Sequence, residues 1–206
     1  SNETIEGIQY HQYPEVDIPL VADMTSDFLS KPLDIDRFGI IFASAQKNFG
    51  IAGITCVLVN TQVLPSNSDR KVPTIFDYRT HIQNQSLYHT VPTFPVYVAL
   101  LMLRWIKAEG GLDEMQLRSI AKSALLYAEI DRNPLFEGIA VKEDRSVLNA
   151  CFRAISPEIE IQFLAHCSKN NVVGIKGFPT VGGFRASMYN GMNIESVELL
   201  VDLMKN

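Results

Sequence analysis

The sequence contains few cysteines and no excess of basic residues. Three of its 206 residues are cysteine, and 18 Lys and Arg against 23 Asp and Glu give a net charge of −5 at pH 7. Cys56, Cys151 and Cys167 lie far apart and form no CxxC or zinc-type spacing, so we expect reduced thiols in a cytoplasmic protein and no metal site. The basic residues are scattered, which argues against nucleic acid or an anionic membrane as a partner.

Long apolar runs are also absent. The longest candidate, FPVYVALLMLRWI at 94–106, is interrupted by Arg104 and falls short of the roughly 20 residues that a membrane-spanning helix requires. It therefore predicts a buried helix of a soluble protein. The first residues, SNETIEG, contain neither a basic start nor an apolar stretch, so we expect no signal peptide there. A chain of this length that is 47% hydrophobic can form one substantial core or two modest ones.

The first ninety residues have the pattern of an α/β protein. Three mostly apolar runs rich in β-branched residues predict strands that are buried on both faces of a sheet. These runs are 16–23, 38–45 and 53–60. Thr25 or Ser26 is a candidate cap for a short turn of helix after the first strand, which Pro32 would end. The polar residues 61–92 predict a long ordered loop, and loops of that length are more often functional than idle.

Beyond residue 94 the pattern predicts two long helices and then a small α+β layer. The helix at 94–109 stops at a Gly-Gly pair, and an amphipathic helix follows at 112–131. The last third predicts strands at 145–153, 172–177 and 182–190, and helices at 157–170 and 194–206. We expect this layer to be a small domain that is hinged near residues 90–95.

The stretch FASAQKNFGIAG at 42–53 places a lysine directly after an apolar strand. Asp23 ends another such strand, so Asp23 and Lys47 are expected at the carboxyl edge of a parallel sheet, where open α/β sheets bind ligands. The two residues can form a structural ion pair. Alternatively, the lysine amine forms a Schiff base with an aldehyde, and a buried carboxylate keeps a pyridine nitrogen protonated. Gln46 and Asn48 would then form hydrogen bonds around the ring or support the lysine.

Five blocks of the sequence, in this order and with matching spacing, resemble phosphoserine aminotransferases, which are class-V, fold-type-I pyridoxal-phosphate enzymes. The blocks are NETIEG at 2–7, VADMTSDFLSKPLD at 21–34, AQKNFGIAG at 45–53, SLYHTVPTF at 86–94 and GGFRASMYN at 182–190. The resemblance covers essentially the whole chain and implies an α/β fold. Residues 1–94 would form the carboxyl-terminal part of the cofactor-binding large domain, a mostly parallel sheet with helices. Residues 95–206 would form linking helices and a small α+β domain.

The resemblance also implies roles for single residues. Lys47 would carry pyridoxal 5'-phosphate as a Schiff base and shuttle the proton between the two half-reactions, while Asp23 pairs with the pyridine nitrogen. Thr4 would contact the cofactor, and Gln46 would bind near its phosphate. Arg185 would hold the substrate α-carboxylate, a bidentate task that suits a guanidinium. The residues alone leave simpler alternatives open. Thr4 can be a frayed residue or a cap, Gln46 a strand-end amide, and Arg185 either a snorkelling side chain or the ion-pair partner of Glu195.

A homodimer with shared sites is implied by SLYHTVPTF. His89 and Thr90 would reach the cofactor phosphate of the other subunit, and His89, where the family usually has asparagine, can still donate a hydrogen bond to a phosphate. The family reaction transfers the amino group of glutamate to 3-phosphohydroxypyruvate, which gives phosphoserine and 2-oxoglutarate in serine biosynthesis. The expected partners are therefore amino-acid and keto-acid substrates, without nucleic acid or membrane.

The sequence departs from the family at KGFPTVGGFR, where KGHRxVGGxR is usual. Phe178 and Pro179 replace a His-Arg pair that helps to bind the substrate phosphate. A phenyl ring and an imide cannot neutralise a dianion, and the loss of a charged hydrogen bond costs a few kcal/mol. This leaves open an aminotransferase that acts on a substrate without phosphate.

The front half of the family has no counterpart in this sequence, so we expect a carboxyl-terminal portion of the fold. An incomplete parallel sheet exposes apolar surface, which predicts association or poor solubility. A further alternative is a truncated, non-catalytic relative that serves as a dimerisation or interaction module. The joint retention of Asp23, Gln46, Lys47 and Arg185 argues against it.

Overall fold

The structure, a computed structural model, describes residues 1–64 and 71–205. It begins with a short hairpin of strands β1 (Asn2–Glu3) and β2 (Ile8–Gln9), which the sequence patterns did not predict. The hairpin contains Gly7, whose φ of +80° lies in the left-handed region. A Cβ on Gly7 would lie 2.6 Å from the carbonyl oxygen of Asn149, so glycine is required where the hairpin meets the carboxyl-terminal part of the chain.

The three strands predicted in the first part are confirmed and form one sheet. They are β3 (Leu20–Asp23), β4 (Phe38–Ser44) and β5 (Thr55–Val59), in the order β3-β4-β5. The β3 and β4 strands are parallel, as expected, whereas β5 runs antiparallel to β4. The central strand buries Phe38, Ile41 and Ala43.

Burial on both faces is wrong for the two edge strands. Val21 on β3 is 63% exposed, and Val57 and Leu58 on β5 are exposed as well. These side chains project from strands that have a hydrogen-bonded neighbour on one side only, and the described part of the chain does not cover them. The sheet therefore presents apolar surface.

The short helix predicted after β3 is also wrong, since residues 25–29 form turns. The carboxylate of Asp23 accepts the N–H of Thr25 at 2.8 Å. The hydroxyl of Ser26 donates to the carbonyl of Asn2 at 2.6 Å. Neither Thr25 nor Ser26 acts as a helix cap. The Thr25 N–H is bonded to Asp23, and the Ser26 hydroxyl is bonded to the hairpin.

The predicted loop at 61–92 is more regular than expected, and its residues 65–70 lie outside the described residues. The remainder contains two 3-10 turns and one short helix: Thr61–Val63, Thr74–Phe76 and α1 (Tyr78–Gln83). Helix α1 begins where the carboxylate of Asp77 accepts the N–H of Arg79 at 3.0 Å, which is an N-cap interaction. The described part of this long loop or arm therefore contains short regular elements that its polar composition did not indicate.

Two long helices follow, as predicted: α2 (Thr93–Ala108) and α3 (Gly111–Arg132). The expectation that α2 is buried is wrong. Of its residues only Pro95, Ala99 and Ile106 are buried, while Phe94 is 66% and Tyr97 is 53% exposed. Helix α2 touches the first sheet through a narrow strip around Ala99, so its apolar residues on the other faces stay in contact with solvent.

The last third forms a three-stranded antiparallel sheet packed against helices. Its elements are β6 (Phe136–Gly138), β7 (Asn149–Ala154), α4 (Pro157–Lys169), β8 (Phe184–Ser187) and α5 (Ile194–Lys205). The strand order is β6-β7-β8. Strand β6 was not predicted, and the predicted strand at 172–177 is reduced to one isolated bridge between Lys176 and Phe184. Asn206, the last residue of the predicted closing helix, lies outside the described residues.

The hydrophobic cores follow the same division of the chain. One large cluster joins α3, α4, α5 and the β6-β7-β8 sheet, whereas two small clusters lie under the first sheet. A domain boundary near residue 94 stays a prediction. No helix in the described ranges is both long and apolar enough to cross a membrane.

Candidate active site

The carboxyl ends of the parallel strands β3 and β4 carry the candidate site. Asp23 lies opposite Phe42 in the parallel ladder, and the N–H of Met24 donates to the carbonyl of Phe42 at 2.8 Å. Lys47 follows β4 within a turn in which the N–H of Phe49 donates to the carbonyl of Ala45. The two strands thus place Asp23 and the Lys47 turn at one edge of the sheet, where the sequence predicted them.

Thr4, Lys47 and Arg185 meet at this edge. The Nζ of Lys47 donates to the Oγ1 of Thr4 at 3.3 Å. The Nη1 of Arg185, from β8, donates to the carbonyl oxygen of Thr4 at 3.1 Å. The segment after β1 therefore lies between an amine from the first sheet and a guanidinium from the second. Arg185 makes this contact and no ion pair with Glu195 in the described structure.

Asp23 lies at the same edge but differs from the expectation of a buried carboxylate. Its side chain is exposed and accepts one hydrogen bond, from the N–H of Thr25. Its carbonyl oxygen accepts hydrogen bonds from the amino group and the hydroxyl of Ser1, at 2.8 and 3.0 Å. Among the described residues Asp23 and Lys47 form no ion pair, so the structural alternative for this pair finds no support.

The remaining predicted residues form no hydrogen bond with this cluster in the part of the chain that the structure describes. Gln46 is exposed beside Lys47, and His89 and Thr90 are exposed on the segment before α2. The ring of His89 lies 6.4 Å from that of His81 and lines a groove of about 370 Å³ next to β5. Within the described ranges no hydrogen bond links His89 or Thr90 to Lys47. Their proposed roles in a second subunit stay predictions.

Two asparagines that the sequence patterns did not single out hold the Thr4 segment in place. Asn149, which is fully buried, donates through Nδ2 to the hydroxyls of Ser187 and Tyr189, at 3.1 and 3.2 Å. Its Oδ1 accepts a hydrogen bond from the Nδ2 of Asn2 at 2.8 Å. The segment that carries Thr4 is therefore attached to the strand that carries Arg185. The only signal in the sequence was the position of Asn2 within the NETIEG block.

Burial sets the ionisation of the groups around Arg185. It raises the pKa of the Cys151 thiol to about 12, against the opposing effect of Arg185. That thiol donates to the carbonyl of Ile5 at 3.4 Å and stays protonated at neutral pH, so Cys151 is not a nucleophile. Burial also raises the pKa of Tyr189. The candidate nucleophile at this edge is therefore the Lys47 amine, and the Arg185 guanidinium is a charged hydrogen-bond donor.

This arrangement suits a substrate that has a carbonyl or amino group next to a carboxylate. A lysine amine at a sheet edge can attack an aldehyde or exchange a proton with a nearby carbon atom. The Arg185 guanidinium, which contacts the same Thr4 segment, can bind a carboxylate through two parallel hydrogen bonds. Both ends of a small amino acid would then be held across the Thr4 segment.

A comparison with protein families assigns the class. The model of the class-V aminotransferases matches residues 4–200. The chain therefore belongs to the class-V aminotransferase family, and its fold is the α/β fold of the fold-type-I enzymes, as the sequence predicted.

Within this family, the chain is similar to phosphoserine aminotransferases. The chain is 49% identical over 205 residues to a phosphoserine aminotransferase of Flavobacterium johnsoniae, an alignment that covers 100% of this chain and 57% of the relative. A solved phosphoserine aminotransferase of Bacillus circulans subsp. alkalophilus has a TM-score of 0.94 at 40% identity, covering 100% of this chain and 57% of that one. A PLP-bound phosphoserine aminotransferase of Trichomonas vaginalis has a TM-score of 0.93 at 38% identity, covering 100% and 58%. The chain thus spans somewhat more than half the length of these relatives.

Proposed function

We propose that this chain belongs to a pyridoxal-phosphate-dependent aminotransferase that transfers the amino group of glutamate to 3-phosphohydroxypyruvate, in a cytoplasmic pathway of serine formation. The observation that carries the proposal is the meeting of Lys47, Thr4 and Arg185 at the carboxyl edge of β3 and β4. The identity of 49% to a phosphoserine aminotransferase supports the choice of reaction.

The residues at this edge fit the cofactor. Among the described residues the amine of Lys47 has one hydrogen bond, a long one of 3.3 Å to the Thr4 hydroxyl. The Nε of Arg185 is buried and has no hydrogen-bond partner among the described residues. A buried donor without a partner costs free energy. A substrate carboxylate that accepts a hydrogen bond from this Nε would remove that cost, which favours binding. The exposed carboxylate of Asp23 is available to a ring nitrogen at the same edge.

When bound, pyridoxal phosphate supplies an electron sink that stabilises negative charge at the substrate α-carbon. Lys47 Nζ would hold the cofactor covalently until the amino group of the substrate displaces it. The freed amine would then take the proton from the α-carbon of glutamate in one half-reaction and supply a proton to the α-carbon of the keto acid in the other. The Asp23 carboxylate would accept a hydrogen bond from the protonated ring nitrogen and so favour its charged form. Thr4 and Gln46 would bind the cofactor, and Arg185 would orient the substrate through its α-carboxylate. In a homodimer, His89 and Thr90 would bind the phosphate group in the partner's site.

A second candidate is an aminotransferase for a keto acid without phosphate, and the loop that contains Phe178 and Pro179 favours it. The side chain of Phe178 is 40% exposed, and its carbonyl accepts the N–H groups of Val181 and Gly182 at 3.0 and 2.8 Å. The loop closes so tightly that a Cβ on Gly177 would lie 2.0 Å from the Gly182 carbonyl oxygen. Neither side chain offers a positive charge or a donor to a phosphate.

The first experiment is reductive labelling with the cofactor. The protein is incubated with pyridoxal phosphate and reduced with borohydride, and the modified lysine is located by peptide mass spectrometry. We expect a single adduct, on Lys47, and none in Lys47→Ala. Lys107→Ala is the matched control, since Lys107 is an exposed lysine on α2. Adducts spread over several lysines, or an equal yield in Lys47→Ala, would contradict the proposal.

A further inference from the structure

Two asparagines lie in the signature blocks, and the proposed reaction uses neither. For Asn48 the sequence left open a hydrogen bond around the ring or support of the lysine. Asn48 follows Lys47 in AQKN, and Asn190 ends RASMYN five positions after Arg185. Both side chains are buried, with exposed fractions of 3% and 6%. Asparagine is mostly exposed in proteins and is costly to bury without partners, so the contacts of these two residues indicate what they do.

The two asparagines are in direct contact. The backbone N–H of Asn190 donates to the Oδ1 of Asn48 at 2.9 Å. The Nδ2 of Asn48 donates to the carbonyl of Phe28 at 2.6 Å, and the Nδ2 of Asn190 donates to the carbonyl of Leu29 at 2.8 Å. The side-chain amide of Asn48 thus links the turn that carries Lys47 to the turn after β8. Both asparagines also form hydrogen bonds to the Phe28-Leu29 segment.

Lys122 on α3 fixes that second turn from the other side. Its side chain is 1% exposed, and its Nζ donates to the carbonyls of Met188, Tyr189 and Met192, each at 2.9 Å. An ammonium group has three donors, and all three are used here. The Tyr189 carbonyl belongs to the same planar peptide group as the Asn190 N–H, so Lys122 sets the direction in which that N–H points.

A buried lysine is not explained by stability alone. Burial and the nearby Arg118 lower the pKa of Lys122 to about 8, which shows that the site disfavours the charged form. An apolar side chain of similar volume often serves stability equally well or better at such a position. Three convergent hydrogen bonds, in contrast, specify one conformation of the 188–192 turn. A positional role accounts for the lysine better than a packing role.

Resting on the proposed function, we propose that Lys122, Asn190 and Asn48 form a positioning relay that holds the Lys47 turn in register with the Arg185 strand. The amine that moves the proton and the guanidinium that binds the carboxylate come from different sheets, and the relay is a direct polar link between their two turns. Small displacements of reacting groups reduce rates strongly, so loss of the relay is expected to lower kcat.

The test uses Lys122→Met and Asn48→Ala, which break different links, together with the double variant and Lys107→Met as a matched lysine control. All are made in the complete protein. Two quantities are measured: kcat per cofactor-loaded site, and the pH midpoint of the absorbance of the lysine-bound cofactor, which reports the surroundings of Lys47 without turnover. We expect each single variant to lower kcat about ten-fold or more and to shift the midpoint by about half a pH unit or more. The control is expected to match the parent protein.

The double variant distinguishes a relay from two separate defects. If the links act in series, the double variant is no slower than the slower single variant; two independent effects would multiply instead. Unchanged kcat and midpoint in Asn48→Ala, with Lys47 labelled in the parent protein, would overturn the relay and leave the proposed function intact. The same holds if the two effects multiply. Absence of a Lys47 adduct in the parent protein would overturn both.

Discussion

The two parts of the molecule differ in the size of their hydrophobic cores. The carboxyl-terminal part closes one core in which Phe152 and Phe184 are fully buried. The part formed by the first sheet and α2 has two small clusters, and Phe94, Tyr97 and Val21 are more than half exposed. The site takes Thr4 and Lys47 from the open part and Arg185 from the closed part. A closed core supplies a rigid reference for the site, while the open part presents surface that other chain segments can cover.

The largest expected effect tests this difference in burial. Phe184→Ala in the chain of 206 residues is expected to lower the free energy of unfolding by about 3–5 kcal/mol, because it removes a fully buried ring. Phe94→Ala is the matched control and is expected to change it by less than about 0.5 kcal/mol. Chemical unfolding measures both. A Phe94→Ala effect as large as that of Phe184→Ala would mean that the α2 surface is covered in solution.

The second prediction concerns function in the open part. Asp23→Asn is expected to lower kcat about 100-fold in the complete protein, because a neutral amide no longer stabilises a protonated ring nitrogen. The side chain is exposed, so the free energy of unfolding is expected to stay within about 0.5 kcal/mol of the parent value. Near-normal turnover would show that Asp23 is only structural.

The third prediction moves to the closed part, where the Phe178 loop precedes the Arg185 strand. Replacing both residues, Phe178→His with Pro179→Arg, is expected to raise kcat/KM for 3-phosphohydroxypyruvate relative to hydroxypyruvate about ten-fold or more, because a charged hydrogen bond to the phosphate becomes available. Steady-state kinetics with both acceptors measure the ratio. If the parent protein already prefers the phosphorylated acceptor strongly and the ratio does not change, this loop does not set phosphate specificity.

The smallest expected effect is an ion pair at the surface of the closed part. Arg145 donates to both carboxylate oxygens of Asp131, at 3.0 and 2.8 Å, and with Lys142 it holds the pKa of Asp131 below its usual value. Asp131→Asn is expected to cost about 1 kcal/mol at pH 7.

This contribution has a defined pH dependence. Because folding lowers the pKa of Asp131, its stabilisation is present above the ordinary aspartate pKa and is lost as the pH falls through the lowered one. The difference between Asp131→Asn and the parent protein should therefore shrink below about pH 4. Unfolding curves across this range measure it. A difference that is constant with pH would mean that the carboxylate charge contributes nothing.

Local patterns predicted the elements that are long or strongly periodic. The helices α3, α4 and α5 and the strands β3, β4 and β5 lie where the apolar pattern placed them. Strand β6 has only three residues, which is too short for an alternating pattern to be recognised. Helix α1 depends on a cap at Asp77 within a polar stretch, so hydrophobic periodicity gave no signal there.

Burial was predicted less well than element type. The apolar run at 94–106 indicated a helix correctly, but its exposure depends on which surfaces lie beside it. A run of apolar residues indicates that a surface prefers to be covered, not that the described chain covers it. The same reason explains the exposed side chains of β3 and β5.

The sequence by itself determined the family, the strands β3, β4 and β5 and the position of Asp23 and Lys47 at one sheet edge, because these depend on short motifs and on local periodicity. Only the tertiary structure decided that Arg185 reaches the Thr4 segment from 181 residues away, and that Asn190 contacts Asn48 across 142 residues. Contacts of that range have no local pattern. They form because the fold places the Thr4 segment, the Lys47 turn and the turn after β8 side by side, and polar groups buried there must find partners.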